Sequence, residues 1–386
     1  MDLSGFDPKM MFEHPDPYPM FAMLRHTMPV FETMFMTRPG WVVSRYDDCL
    51  AILRDADGFS SKANAEVGKV MGRTIIEMDG KEHSRTRALV QSMFVPKNME
   101  AMPSVMQPMI DELLDRVAAG ANRADLVTQF TEHFPVQVVA HLIDVPRKDY
   151  PRFQEWAIKI IGFPKDMSGA IAASKALHDY LLPVVQERRH QPGEDVISRL
   201  VTGKVDGEGL TDEQVISFLR LLAPAGAETT FRLIGNMLVA LLTERDRYER
   251  VRADRSLVPW AIEETLRWET SVLMVAREAT REVEMRGVTI PAGGMVSVVV
   301  ASANRDETKY ENPDVFDLDR RADDHLALGF GRHHCLGAHV AKMEARLALN
   351  AIMDRWPNLR LDPDADAPHI LGLAFRSPDA VRVLLS

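Results

Sequence analysis

From Thr211 to about Leu242 the chain carries an apolar helical pattern too long and too uniformly apolar to lie on a surface. A helix of this kind must cross the centre of the protein, so the other elements have to be arranged around it. Thr211 can cap the first turn, and Gln214 fits the position that returns the hydrogen bond. Near the middle, Leu222-Ala223-Pro224-Ala225-Gly226-Ala227-Glu228-Thr229-Thr230 places a proline and a glycine together. Both are costly inside a helix, and they predict a bent or opened backbone ladder. Such a gap can hold a ligand or ordered water, and an acid beside an alcohol can pass protons through it. A kink with a capped polar pair fits the same residues equally well.

The remaining chain is ample for wrapping that core. Its 386 residues exceed most single domains, and 46% hydrophobic against 26% charged residues is the balance of a folded soluble protein. From about Ser104 to Glu244 the signal is mostly helical, with Met106, Met109, Ile110, Leu113, Leu114 and Val117 forming one face. Trp41-Val42-Val43-Ser44 reads as a strand, and Cys49 as a core position on an amphipathic helix. The stretch from Lys62 to Glu82, with Gly68, Gly72 and Gly80, reads as a loop, and His83 starts a helix. Strand signals run from Val283 to Pro291, from Met295 to Val300, and again from about Leu361. No repeat, low-complexity tract or linker divides the chain. The prediction is one domain over residues 1–386, mainly α with small β-sheets.

A net charge of −10 argues against nucleic acid as a partner. The N-terminus has no basic region and no signal-peptide core, and no apolar run is long enough to span a bilayer. The two cysteines, Cys49 and Cys335, exclude a disulfide framework and fit a reducing cytosol. The expected location is therefore cytoplasmic, without membrane attachment. Twenty-two methionines are a high count, and some should line an adaptable apolar cavity.

Cys335 lies in Leu328-Gly329-Phe330-Gly331-Arg332-His333-His334-Cys335-Leu336-Gly337, directly before a helix-like stretch through about Leu349. Gly329, Gly331 and Gly337 remove side chains where backbone must pass close to something large and flat. The helix start aims N–H groups at the sulfur and favours a thiolate. Three plainer readings compete: a buried apolar cysteine, a simple turn, and a zinc site drawn from His325, His333, His334, Cys335 and His339. Ligands adjacent in sequence rarely converge on one ion, and no second cysteine pair supports zinc.

The segment resembles the haem-binding loop of the cytochromes P450, in which the cysteine is the axial iron ligand. The order of elements resembles the same fold over nearly the whole length. By this resemblance Ala225-Gly226-Ala227-Glu228-Thr229 matches the oxygen-activation motif, with small residues facing the haem, Thr229 holding the bound oxygen and Glu228 delivering protons. Glu264-Thr265-Leu266-Arg267 matches the Glu-x-x-Arg motif, and Arg320 its third member, a buried structural cluster. His83, Arg87, Arg277 and His333 are the implied partners of the haem propionates. Leu328, where the family usually has phenylalanine, Lys342, where it has arginine, and Pro224 depart from the pattern.

The implied function is a haem-thiolate monooxygenase carrying haem b (iron protoporphyrin IX). It would oxidise a small apolar organic substrate with O2. The chain shows no dinucleotide-binding glycine motif and no iron–sulfur cysteine cluster, so electrons should come from a ferredoxin and an NAD(P)H-dependent ferredoxin reductase. Arg332, Lys342 and Arg346 would offer such a partner positive charge. A monomer is expected. A peroxide-driven peroxygenase and a non-catalytic haem-thiolate sensor or binding protein are the alternatives. Family-matched positions put Ile75, Ile76 and Met78 on the substrate pocket wall. Leu221, Leu222 and Ala225 of the long helix join them. Val272, Leu273, Met274, Val275 and Leu373 complete the set.

Overall fold

The computed structural model describes residues 15–35, 38–163, 165–193, 195–372 and 374–386. Helices α1 (Tyr18–Thr27) and α2 (Tyr46–Arg54) flank strands β1 (Val30–Phe35) and β2 (Arg38–Val43). After β3 (Phe59–Ser60) come α3 (Ala65–Met71), α4 (Gly80–Gln91) and α5 (Met102–Ala118). Strand β4 (Arg123–Asp125) precedes α6 (Phe134–Leu142), α7 (Tyr150–Ile161), α8 (Met167–His190) and α9 (Val196–Thr202). Next come α10 (Asp212–Thr243), α11 (Arg245–Ala253) and α12 (Val258–Trp268).

Four strands follow: β5 (Val275–Ala279), β6 (Val283–Met285), β7 (Val288–Ile290) and β8 (Met295–Val298). The chain then forms α13 (Val300–Ala303) and α14 (Ala338–Arg355), and ends in β9 (Arg360–Leu361), β10 (Ile370–Leu371), β11 (Ser377–Pro378) and β12 (Arg382–Leu384). The largest sheet runs β1-β2-β8-β5-β3, with β2 and β8 parallel and the other pairs antiparallel. The architecture is mainly α with small sheets, as the periodicity predicts.

The long apolar run is α10, and it is buried along most of its length, from Val215 to Leu242. Its start is a closed capping box: Gln214 N–H donates to Thr211 Oγ1 (3.2 Å), and Thr211 N–H to Gln214 Oε1 (2.9 Å). Helices α6, α7, α8, α12 and α14 pack around it. The expected opening at Pro224 does not occur. Helix α10 runs on through Pro224 and Gly226: the proline, which has no N–H to give, removes one rung of the ladder without ending the helix.

The stretch from Lys62 to Glu82 is more ordered than its glycines suggest. It contains α3, which stops at Gly72 with φ +76° and a bond from Gly72 N–H to Gly68 O (2.9 Å). Glycine adopts that conformation without the Cβ penalty. Two turns of helix are too short to leave a clear period in sequence. Among the described residues, no helix is long and apolar enough to cross a membrane.

Candidate active site

Helices α4, α6, α10 and α14 line a mostly apolar cavity of about 220 Å³. Cys335, Leu336, Gly337, Val340, Ala341 and Glu344 form one wall. Opposite stand Phe218, Leu221, Leu222, Ala225, Gly226, Thr229 and Thr230 of α10, with Ile75 and Ile76 beside them. His83, Arg87, His333 and His334 close one side, and Phe94, Val139 and Leu142 complete the lining.

The cysteine loop is built by local backbone geometry. Cys335 N–H donates to Leu328 O (2.8 Å), closing the loop on itself. Gly329 and Gly331 take φ +70° and +67°, and a Cβ on Gly331 would stand 3.0 Å from Leu53 O. At Gly337 a Cβ would meet no protein atom within 4 Å, so this edge of the loop opens on free space. Cys335 is exposed to the cavity rather than to bulk solvent. Burial pushes its thiol pKa up, against the N–H groups of Gly337 and Ala338 and the charges of Arg87 and Lys342. Desolvation therefore outweighs the helix-start effect read from the sequence.

The side groups fit a haem with two propionates. His83 is buried, and its Nε2 has no hydrogen-bond partner. Its ring lies 4.1 Å from that of His333, whose pKa is lowered to about 4 by burial, with His83 and Arg277 adding to the shift. Arg277 is buried and donates to the neighbouring Ala276 O (2.8 Å). Arg87 donates to His334 O (2.8 Å), and burial lowers its pKa. The nearest carboxylate, Asp79, stands 3.7 Å from His333 Nε2 and already accepts from Ser60 and Ser61. A positive, half-dry cluster of this kind suits an anionic ligand group.

The zinc reading fails on geometry. Among the described residues, no three or more His, Cys, Asp or Glu side chains are placed to share an ion. His325 is turned away to Glu263 Oε2 (3.0 Å).

The motif on α12 is a buried cluster. Arg267 donates through Nε and Nη2 to Glu264 (2.8 and 2.7 Å) and also to the carbonyls of Asn304, Pro313 and Val315. Arg320 Nε reaches Glu264 Oε1 (3.2 Å), and so does Asp317 N–H (2.8 Å). These bonds pin the loop ahead of the cysteine to α12.

Several expected site residues stand elsewhere. Gly226 borders the cavity, and a Cβ on it would point at Val139 Cγ2, 2.7 Å away, so contact with α6 also requires it to be small. Glu228 is not on the cavity wall; Arg232, one turn along α10, holds its carboxylate. Met78 is buried behind the wall, beside Thr74, Ile75 and Phe218. Leu273 and Met274 face the α1 cluster of Tyr18, Phe21 and Leu24, and Val275 packs with the β-sheet core. Val272 forms a bridge to Phe375 and does not line the cavity. Strand alternation turns part of this segment away. Leu373 lies outside the described residues. Two of the three cations expected to attract a partner are already paired, Arg332 with Asp57 (3.1 Å) and Lys342 with Glu263 (2.6 Å), leaving a weaker positive face.

The sequence reading passed over Phe94, Phe218 and Glu344. Phe218 shares the face of Leu222, Ala225 and Thr229 at helical spacing, and Glu344 repeats that of Gly337 and Val340, so period alone marks them. Phe94 carries no such signal. Burial raises the Glu344 pKa strongly, and its Oε2 has no partner.

A Gly226→Ala variant tests the packing role. Helix propensity would favour alanine by up to about 1 kcal/mol. Overpacking against a stiff, buried valine costs about 1–3 kcal/mol and should win. Denaturant unfolding should show a net loss near 1 kcal/mol, relieved when combined with Val139→Ala. An additive pair would show that the two helices shift to make room.

Comparison with known proteins agrees with the geometry. The family described as cytochrome P450 matches residues 136–376. The cytochrome P450 monooxygenase PikC of Streptomyces venezuelae is 36% identical over 358 residues, covering 90% of this chain and 85% of that protein. The vitamin D3 dihydroxylase of Streptomyces griseolus is 35% identical over 363 residues, covering 91% and 88%. Among solved structures, the cytochrome P450 PksS of the Bacillus subtilis 168 bacillaene polyketide synthase has a TM-score of 0.90 at 30% identity, covering 97% of each chain. With a cysteine loop, a buried Glu-Arg cluster and an apolar cavity joined as described, the chain belongs to the cytochrome P450 family.

Proposed function

We propose that the chain is a single haem domain that binds haem b through Cys335 and oxidises a small apolar organic substrate, with electrons from a ferredoxin and its NAD(P)H-dependent reductase. The family is one of haem-dependent monooxygenases. One oxygen atom enters the substrate, and the other leaves as water with two electrons and two protons. The observation that carries the reading is the shared cavity: Cys335 on one wall, Thr229 on the other, apolar side chains between.

Haem supplies the oxygen chemistry when bound. Cys335 Sγ would hold its iron, and His83, Arg87, Arg277 and His333 would take its propionates. Phe218, Leu221, Leu222, Ile75 and Ile76 exclude water and present an apolar surface to the substrate. Thr229 Oγ1 donates to Ala225 O (2.8 Å), which leaves its lone pairs free to accept from a proton-bearing group in the cavity. Glu228, on the adjacent position, is the proton source. The vitamin D3 dihydroxylase among the relatives is named for an apolar compound, and the mainly apolar lining here suits a substrate of that character.

Thr229→Ala should keep NAD(P)H consumption and lose most coupling, with peroxide replacing oxidised product. The measurement is product and peroxide per NAD(P)H consumed, with an effective redox partner and a substrate found by its spectral shift in a compound library. Full coupling in the variant would assign this turn of α10 a structural role, with the substrate itself supplying the relay.

A further inference from the structure

Glu228 is the one member of the acid–alcohol pair that does not reach the cavity, and the reason is a single side chain. Arg232 lies one turn along α10, and its Nη2 donates to Glu228 Oε1. Both side chains are largely buried, at 16% and 11% exposure, so water screens the pair little. The other arm of the guanidinium leaves the helix. Arg232 Nη1 donates to Ser377 Oγ (2.9 Å) and to Phe375 O (3.4 Å), and the Phe375 ring lies 5.8 Å from the charge. Arg232 Nε is buried with no partner, so the guanidinium is not fully satisfied where it sits.

Thr229 is tied to the same region by a separate route. Ser271 Oγ–H donates to Thr229 O (3.0 Å), and Ser271 O accepts from Arg376 N–H (3.0 Å). The bridge between Val272 and Phe375 reinforces this contact. Both residues of the proposed relay are thus wired to one stretch of chain, Phe375 to Pro378, next to the C-terminal strands.

We infer that Arg232 is a positioning residue for proton delivery: it parks the Glu228 carboxylate off the cavity and makes its release depend on the 375–378 segment. The inference rests on the monooxygenase reading. Its chemistry is simple, since no bond other than hydrogen bonds changes. When the 375–378 segment moves, Arg232 loses Ser377 and Phe375, its hold on Glu228 loosens, and the carboxylate can turn toward Thr229. Linkage requires the converse: a change at Glu228 must loosen the segment.

The test uses the full, haem-loaded chain and two readouts. The first is amide hydrogen exchange, which needs no turnover. Glu228→Gln and Arg232→Met should each raise exchange at the amides of residues 375–377 by about tenfold, the size expected for losing one charge-assisted hydrogen bond. Arg232→Lys, which keeps the charge and loses the fork, should fall between. The second readout is the solvent isotope effect on NAD(P)H oxidation. Arg232→Met should lower it and raise peroxide release without substrate, and Ser377→Ala should do the same more weakly. In a Glu228→Gln background, Arg232→Met should change neither quantity further, because Arg232 acts through Glu228. An Arg232 effect that persists in that background overturns the inference. So does 375–377 exchange that ignores Glu228→Gln while coupled turnover continues, and that result leaves the monooxygenase reading intact. A chain that takes up no haem overturns both.

Discussion

Replacing Cys335 by serine or histidine is expected to abolish the long-wavelength Soret band of the reduced, CO-treated protein. That band depends on sulfur as the axial donor, and neither oxygen nor imidazole reproduces a thiolate's electron donation. The loop itself should survive, because its closure is a backbone bond from Cys335 N–H to Leu328 O and does not use the side chain. The positive turns at Gly329 and Gly331 are also untouched. Loss of the band with retained fold therefore reports ligation alone. Absorption spectra, with circular dichroism as the fold control, make the measurement. A wild-type band in either variant would remove Cys335 from the ligand role, and purification with stoichiometric zinc in place of haem would revive the metal alternative.

The other large effect is on folding. Arg267→Ala leaves Glu264 buried with Arg320 as its remaining cation and strips a donor from three carbonyls, those of Asn304, Pro313 and Val315. Breaking a buried pair on one side costs roughly 3–5 kcal/mol, a large share of a domain's stability. Glu264→Ala should be comparable, since it leaves Arg267 without its carboxylate and Asp317 N–H without its acceptor. Because the cluster pins the loop ahead of the cysteine, the expected product is misfolded or haem-free protein, not a slow enzyme. Denaturant unfolding and haem content per chain are the readouts. A haem-replete Arg267→Ala protein of wild-type stability would reduce the cluster to an incidental contact.

Much of the fold was legible because α10 and the Cys335 loop advertise themselves locally. An apolar helix carries its period in its own residues, and a loop that needs positive φ carries its glycines. What escaped was decided between distant segments. Leu273 and Met274 stand at family-matched pocket positions, yet the α1 cluster claims them. Gly226 borders the cavity, but nothing in its sequence neighbours shows that Val139 of another helix stands 2.7 Å from its absent Cβ. Glu228 was identified as an acid beside an alcohol, but its partner Arg232 was not, although it sits at the i+4 position. An arginine at that spacing is common on exposed helices, and sequence does not say that this one is buried and also bonded to Ser377. The pairing of the surface cations Arg332 and Lys342 was hidden for the same reason, since Asp57 and Glu263 reach them only through the fold.

The continuity of α10 has a practical consequence for anyone recombining this protein with its relatives. Phe218, Leu222, Ala225 and Thr229 meet the cavity because they share one stripe on an unbroken helix. Each residue added or deleted inside that helix turns everything downstream by about 100°. A chimera spliced between Phe218 and Thr229 with a length mismatch would rotate Thr229 off the cavity-facing stripe while leaving composition and helix content almost unchanged. Crossover points placed before Thr211 or after Glu244 avoid that rotation, and libraries built so should retain a far larger active fraction.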